Sequence, residues 1–161
     1  MKTLLSMALR ILWLLLLAMG VSAAANFLRP HPLPWRGEWA QHVEQRAWQA
    51  NVHLVGPATV RQASETGAAK LLDARPAADY YAGHIPRAQS LPFDLATEML
   101  ANMQLDLARD QPLIIYCARP DCDEGLELAL YLRRAGFTNV VLFAGGLSEW
   151  CAAGGRVEAT P

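Results

Sequence analysis

Cys117 ends an unbroken apolar run, Leu113-Ile114-Ile115-Tyr116, and stands five residues before a second cysteine in the segment IIYCARPDCDEGLELAL. The run reads as a buried strand. The stretch from Asp123 to Ala135, with Leu126, Leu130 and Arg134 marking its turns, reads as an amphipathic helix that Gly136 stops. A loop feeding a helix start presents free backbone N–H groups, and these together with the helix dipole favour an anion or a thiolate. Cysteines so placed can have pKa values lowered to roughly 3.5–7.5, which makes them nucleophiles near neutrality. Position alone leaves a second reading open, a buried packing cysteine. Phosphatase chemistry is disfavoured. It needs an arginine six places after the cysteine to clamp phosphoryl oxygens, and Asp123 stands there, with Asp121 and Glu124 beside it and Arg119 the loop's one cation.

Three segments in order carry a resemblance. Leu71-Leu72-Asp73-Ala74-Arg75 with Asp79-Tyr80-Tyr81-Ala82-Gly83-His84-Ile85-Pro86 resembles the first signature of the rhodanese (sulfurtransferase) family. The strand ending at Cys117 resembles its catalytic segment, and Phe143-Ala144-Gly145-Gly146-Leu147-Ser148-Glu149-Trp150 its closing G-G-x-x-x-W element. The one departure in the first signature is Arg87, where the family commonly has glycine. The resemblance covers roughly residues 53–157. It implies an α/β rhodanese-like fold, a central parallel sheet of about five strands flanked by helices on both faces. It also implies Cys117 as a carrier that holds sulfane sulfur as a persulfide, cradled by the backbone of Ala118, Arg119, Pro120, Asp121, Cys122 and Asp123. No metal or organic cofactor is expected. The expected partners are a small sulfur donor (thiosulfate, polysulfide) or a protein persulfide, and a thiol acceptor. Arg119 is the candidate to hold an anionic donor, although three acids around one arginine make a poor funnel for a dianion such as thiosulfate.

Cys122 is not part of a C-x-x-C motif. A cradle-shaped loop can still bring its Cα within the 4.4–6.8 Å of Cys117 that a disulfide requires. Cys122 is then a resolving thiol for the persulfide, a redox latch, or a small apolar residue at a helix start. A thiol–disulfide protein cycling through Cys117 and Cys122, and a non-catalytic sensor or docking module, are the alternative functions. Asp73, Arg75, Asp79 and His84 read as structural support, with an Arg75–Asp79 ion pair fixing the loop after the strand. The histidines have no metal-ligand spacing, so no metal site is expected. Cys151 reads as packing.

The elements around these residues alternate. Candidate strands are His53–Val55, Lys70–Ala74, Gln89–Leu91, Leu113–Tyr116 and Val140–Phe143. Candidate helices are Glu38–Ala50, Pro57 to Gly67, Pro76–Tyr81, Leu95–Ala108, Asp123–Ala135 and a last one through Trp150. Apolar strands alternating with helices point to a parallel sheet covered on both faces.

The 161 residues are 53% apolar and 18% charged, with the apolar excess at one end. Ile11 to Ala25 contains no charge. Residues 1–25 hold two of the 14 basic residues and none of the 15 acidic ones, so the remainder is acidic by three charges. That excludes a basic field for nucleic acid. Lys2 and Arg10 ahead of the apolar run give the layout of an export signal. Residues 1–25 are read as a signal peptide or membrane anchor, 26–52 as a Pro-rich linker and juxtamembrane helix, and 53–161 as the rhodanese-like domain. The favoured placement is an uncleaved anchor with the domain outside the cytoplasm. The alternative is secretion to the periplasm after cleavage near Val21–Ala25. Trp35 and Trp39 suit an interfacial belt or packing against the domain.

Overall fold

The computed structural model describes residues 2–28, 39–102 and 107–159. The chain forms two compact units, Met1–Gly37 and Glu38–Pro161. In the first, helix α1 spans Lys2–Phe27, and its Ser6–Phe27 stretch of 22 residues has a mean hydropathy of 2.0. At 1.5 Å per residue that stretch reaches about 33 Å, enough by length and composition to cross a bilayer's hydrocarbon. The candidate cleavage residues Val21–Ala25 lie within the helix. Pro30, Pro32, Pro34 and Trp35 lie outside the described residues, as does the side chain of Trp39.

The second unit is an α/β domain. Its elements run α2 (Trp39–Gln49), β1 (His53–Leu54), α3 (Pro57–Thr66), β2 (Lys70–Asp73), α4 (Ala77–Ala82), β3 (Gln89–Ser90), a 3-10 turn (Phe93–Leu95), α5 (Ala96–Ala101), β4 (Leu113–Tyr116), α6 (Asp123–Arg134), β5 (Val140–Phe143) and α7 (Gly146–Ala152). The five strands form one sheet in the order β1-β5-β4-β2-β3, all pairs parallel. Alternate residues of each strand face opposite sides, so a strand covered on both sides must be apolar throughout. On one side Leu72, Leu113, Ile115 and Leu142 pack with Val43, Ala47, Leu126 and Leu132. On the other Leu71, Ile114, Tyr116 and Phe143 pack with Val60, Ala63, Ile85 and Trp150.

Helix α2 belongs to this core through Val43 and Ala47. It is also tied to α6. Arg46 binds Asp123 at 2.9 Å and Glu127, and Arg133 donates to the carbonyls of Ala50 and Asn51. The Glu127 carboxylate, with Asp123 adding to it, raises the affinity of the Arg46 guanidinium for its proton.

The sequence pattern differs from the structure in one element. Of the helix expected over Leu95–Ala108, the first part is the end of the 3-10 turn followed by α5, residues 103–106 lie outside the described residues, and Leu107–Asp110 is not helical. There the backbone serves the lead into β4: the Arg109 carbonyl accepts the Thr138 N–H at 2.9 Å, and the Arg109 guanidinium lies over the Phe137 ring. Leu107 still packs against the core, which accounts for the apolar periodicity that suggested a longer helix.

Tyr116 ends β4 with its ring fully buried and its hydroxyl accepting the Ile85 N–H at 3.2 Å. Burial, reinforced by the Asp73 carboxylate, pushes its phenol far above the ordinary value of 10.0, and the same two causes raise Tyr80. A phenol that resists ionisation in the folded state but not in the unfolded one leaves stability unaffected below the unfolded value and drains it above. The contribution of these two phenols to stability is therefore expected to be flat up to about pH 10 and to fall above it, and Tyr116→Phe to make that fall shallower. Urea titrations between pH 8 and 11.5 check this; equal slopes for parent and variant would refute the assignment.

Candidate active site

Cys117 directly follows β4 at its carboxyl end, the side of a parallel sheet where sites gather, and only 5% of it is exposed. Two contacts fix its backbone. The Leu147 N–H binds the Cys117 carbonyl at 2.9 Å, and the Ser148 N–H binds that of Ala118 at 3.0 Å. Both donors come from the first turn of α7, so β5 and its Gly145-Gly146 turn bring that turn down onto the loop. Gly146 is what allows the approach. Its φ is +61°, and a Cβ there would sit 2.5 Å from the Cys117 carbonyl oxygen and 3.0 Å from backbone atoms of Ala118 and Arg119.

The loop then turns back on itself. The Cys122 N–H donates to the Arg119 carbonyl at 3.1 Å, and Cys122 caps α6 in an extended conformation. Cys117 and Cys122 are joined by a disulfide across a Cα separation of 6.2 Å. Glu124, in the first turn of α6, folds back onto the pair: its Oε2 lies 2.9 Å from Cys122 Sγ and 3.9 Å from Cys117 Sγ. From the sequence Glu124 reads as one more repulsive charge or as an acid favoured at a helix start. Its place two residues past the helix cap was the signal that it can reach back over the cap. Cys117, Cys122 and Glu124 bring their ligand atoms within 4.8 Å of one another, the one such group among the described residues. With the disulfide closed the group has no thiolate to offer a metal.

The loop's other charges are paired. Arg119 is 70% exposed and its Nε binds Asp121 at 3.0 Å, while Asp123 is held by Arg46. The expected anion holder is thus turned to a neighbouring carboxylate. Exposed pairs of this kind contribute little, about 0–1 kcal/mol. Asp121→Asn is therefore expected to leave the fold intact and to lower the KM for an anionic donor such as thiosulfate by about threefold to tenfold, by removing one negative charge and freeing Arg119. Steady-state kinetics at low salt measure it; an unchanged KM would mean that Arg119 does not meet the donor.

Asp73, Arg75, Asp79 and His84 lie around the end of β2, the strand next to β4. The expected Arg75–Asp79 pair is corrected. Arg75 instead grips Asp73, with Nε 2.9 and 3.1 Å from its two oxygens and Nη2 at 2.6 Å, and also donates to the Gly83 carbonyl. Asp73 is fully buried at the strand end, where the guanidinium is the charge within reach, whereas Asp79 lies in the first turn of α4 and acts on Arg75 only through space. His84 is buried, its Nδ1 2.9 Å from the Tyr80 carbonyl and its ring stacked on Tyr80, and its backbone pairs with Glu158. Arg87, the departure noted above, adopts φ +66°, the left-handed conformation that glycine takes freely, and its guanidinium binds the Glu65 carbonyl near the end of α3. The expectation that Cys151 packs is corrected: it lies on the outer side of α7, exposed, with a free thiol.

Residues 56–153 match the rhodanese-like domain. A solved structure of a protein from Anabaena sp. aligns with 27% identity and a TM-score of 0.58, over 66% of this chain and 92% of that one. A thiosulfate sulfurtransferase from Pseudomonas aeruginosa aligns with 27% identity and a TM-score of 0.56, over 68% of this chain and 20% of that one. An HTH-type transcriptional regulator of Mycobacterium tuberculosis is 33% identical over 94 residues, 58% of this chain and 39% of the regulator, so the chain spans about two fifths of that curated relative. With the matched segment taking in four of the sheet's five strands, the loop and α7, the chain belongs to the rhodanese-like family.

Proposed function

We propose that this protein is a sulfurtransferase-type carrier that takes sulfane sulfur onto Cys117 and passes it to a thiol or other nucleophile. The observation that supports it most is the setting of Cys117, enclosed at the carboxyl end of β4 where the loop runs into the start of α6. In the reduced protein the Cys117 thiolate attacks the outer sulfur of a donor. With thiosulfate the donor's S–S bond breaks, sulfite leaves, and Cys117 holds the sulfur as a persulfide. An acceptor then attacks the outer sulfur and Cys117 departs as a thiolate. An anionic persulfide needs fixed N–H donors and little water rather than a base. Pro120 has no N–H and the Cys122 N–H is bound to Arg119, so the cradle falls to the amides of Ala118, Arg119, Asp121 and Asp123. Polysulfide or a protein persulfide suits the acidic loop at least as well as thiosulfate.

Residues 1–25 act in this reading as a membrane anchor, 26–52 as a linker and a juxtamembrane helix that packs into the domain core, and 53–161 as the sulfur-carrying domain outside the cytoplasm, or in the periplasm if the segment is cleaved. The disulfide favours a second reading, in which Cys117 and Cys122 cycle between dithiol and disulfide.

A carrier that is loaded before it meets the acceptor gives ping-pong kinetics. Full-length Cys122→Ser protein, assayed with polysulfide and cyanide at varied concentrations of each, is expected to give parallel double-reciprocal lines. Intersecting lines would contradict a covalent carrier, and no turnover with any donor would leave the docking-module reading.

A further inference from the structure

The disulfide and the carboxylate beside it have no part in simple sulfur transfer, where the acceptor comes from outside. A thiol placed to bond Cys117 Sγ is also placed to attack it. We propose that Cys122 discharges the Cys117 persulfide within the protein, with Glu124 carrying the proton, so that the sulfur leaves as sulfide and the loop is left as the disulfide. This rests on the carrier reading of Cys117 and extends it to an activity, reduction of sulfane sulfur, and to a partner of stated chemistry, a dithiol reductant.

Three observations carry it. The two sulfurs are within bonding reach with the Cα atoms 6.2 Å apart, inside the ordinary disulfide range. Cys122 caps α6 and its N–H is tied back to Arg119, so its side chain is held over Cys117 by the fold of the loop. Glu124 Oε2 is 2.9 Å from Cys122 Sγ and 3.9 Å from Cys117 Sγ, in contact with the attacking sulfur and close to the one attacked. Asp121 and Asp123 are engaged by Arg119 and Arg46, which leaves Glu124 as the loop acid turned to the sulfurs.

The step balances. Glu124 takes the Cys122 thiol proton as that sulfur attacks the inner sulfur of the persulfide, Cys117 Sγ. The Cys117–Cys122 bond forms and the bond from Cys117 Sγ to the outer sulfur breaks. The outer sulfur leaves with the electron pair and receives the proton from Glu124, departing as hydrosulfide. The sulfane sulfur is reduced by two electrons and the two cysteines are oxidised by two. No outside oxidant is needed. Resetting the loop requires an external dithiol, which becomes a disulfide as Cys117 and Cys122 return to thiols.

The experiment uses reduced full-length protein, freed of reductant under anaerobic conditions and mixed with one equivalent of glutathione persulfide. Glutathione released, sulfide released and the peptide map are recorded. The parent is expected to release one glutathione and one sulfide per chain and to end with the Cys117–Cys122 disulfide. Cys122→Ser is expected to release glutathione but no sulfide and to hold one extra sulfur atom on the Cys117 peptide. Glu124→Gln is expected to slow sulfide release relative to glutathione release by about a hundredfold or more, the usual share of a positioned proton carrier. A parent that keeps the extra sulfur on Cys117 and releases no sulfide would overturn this proposal and leave the carrier reading standing. A Cys122→Ser protein that takes no sulfur, or gains a glutathionyl group instead, would overturn the carrier reading beneath it. Unchanged sulfide release in Glu124→Gln would remove the carboxylate from the step.

Discussion

Cys117→Ser is expected to take no sulfur from thiosulfate, polysulfide or a small-molecule persulfide, a loss of at least about a thousandfold. The replacement is nearly the same size and the site is enclosed, so the hydroxyl occupies the same place without being a competent nucleophile toward sulfur. The comparison belongs in the reduced state. Closing a loop between residues five apart is worth about 2 kcal/mol by chain entropy, and that contribution is absent from every variant lacking one of the two cysteines. Measured against reduced parent, Cys117→Ser should unfold within about 1 kcal/mol of it. Intact mass after donor treatment, read beside a reduced-state denaturant curve, separates loss of chemistry from loss of fold. A serine variant that still accepts sulfur would move the carrier to another residue, and Cys122 and Cys151 would be the cysteines to examine.

Gly146→Ala is expected to be damaging out of proportion to the one methyl group it adds. The site has no slack for a methyl group, because the atoms it meets are backbone: the Cys117 carbonyl oxygen at 2.5 Å, and Ala118 and Arg119 at 3.0 Å. The φ of +61° adds roughly 1–2 kcal/mol for any L side chain. Relief requires α7 to withdraw, and withdrawal breaks the bonds from Leu147 and Ser148 that hold the carbonyls of Cys117 and Ala118. We expect a loss of about 3–5 kcal/mol in stability, with two backbone hydrogen bonds contributing about 1 kcal/mol each to it. Sulfur loading should fall further than stability does, since the loop that survives is displaced. Gly154→Ala provides the contrast, because its φ of +76° is also left-handed while nothing lies within 4 Å of the added methyl group. Thermal melts and loading rates of the two variants check this, and equal effects would contradict the role given to Gly146.

The elements most legible in the sequence were those with one dominant cause. The short apolar runs at Leu113–Tyr116 and Val140–Phe143 read as buried strands, and both are strands, buried throughout except for the half-buried Val141. Asp123–Arg134 was legible through its apolar stripe and the glycine that follows it. The end of α5 was not, because Leu107 keeps the helical spacing while the backbone two residues on, at Arg109, is drawn off to Thr138. Nor was the partner of Arg75. The pattern D-x-R-x-x-x-D offers two carboxylates, and burial at the strand end decides for Asp73, which spacing cannot reveal. At the candidate site, strand, loop and helix pointed to Cys117, and the five-residue step to Cys122 allowed the bond between them. The ties from Arg46 to Asp123 and from α7 to the loop join residues far apart in sequence, so only the fold discloses them. Glu124 was in plain view, yet its meaning depended on the direction in which the first turn of α6 points its side chain.

The central claim is that Cys117 carries sulfur, and the most direct measurement is its mass. Reduced full-length Cys122→Ser protein should be mixed with polysulfide, then separately with thiosulfate, and mapped by peptide mass spectrometry. One added sulfur atom confined to the Cys117 peptide, and removed by cyanide, is the expected result. No added sulfur with either donor, while the parent readily closes its Cys117–Cys122 bond, would contradict the account and give the site to thiol–disulfide exchange.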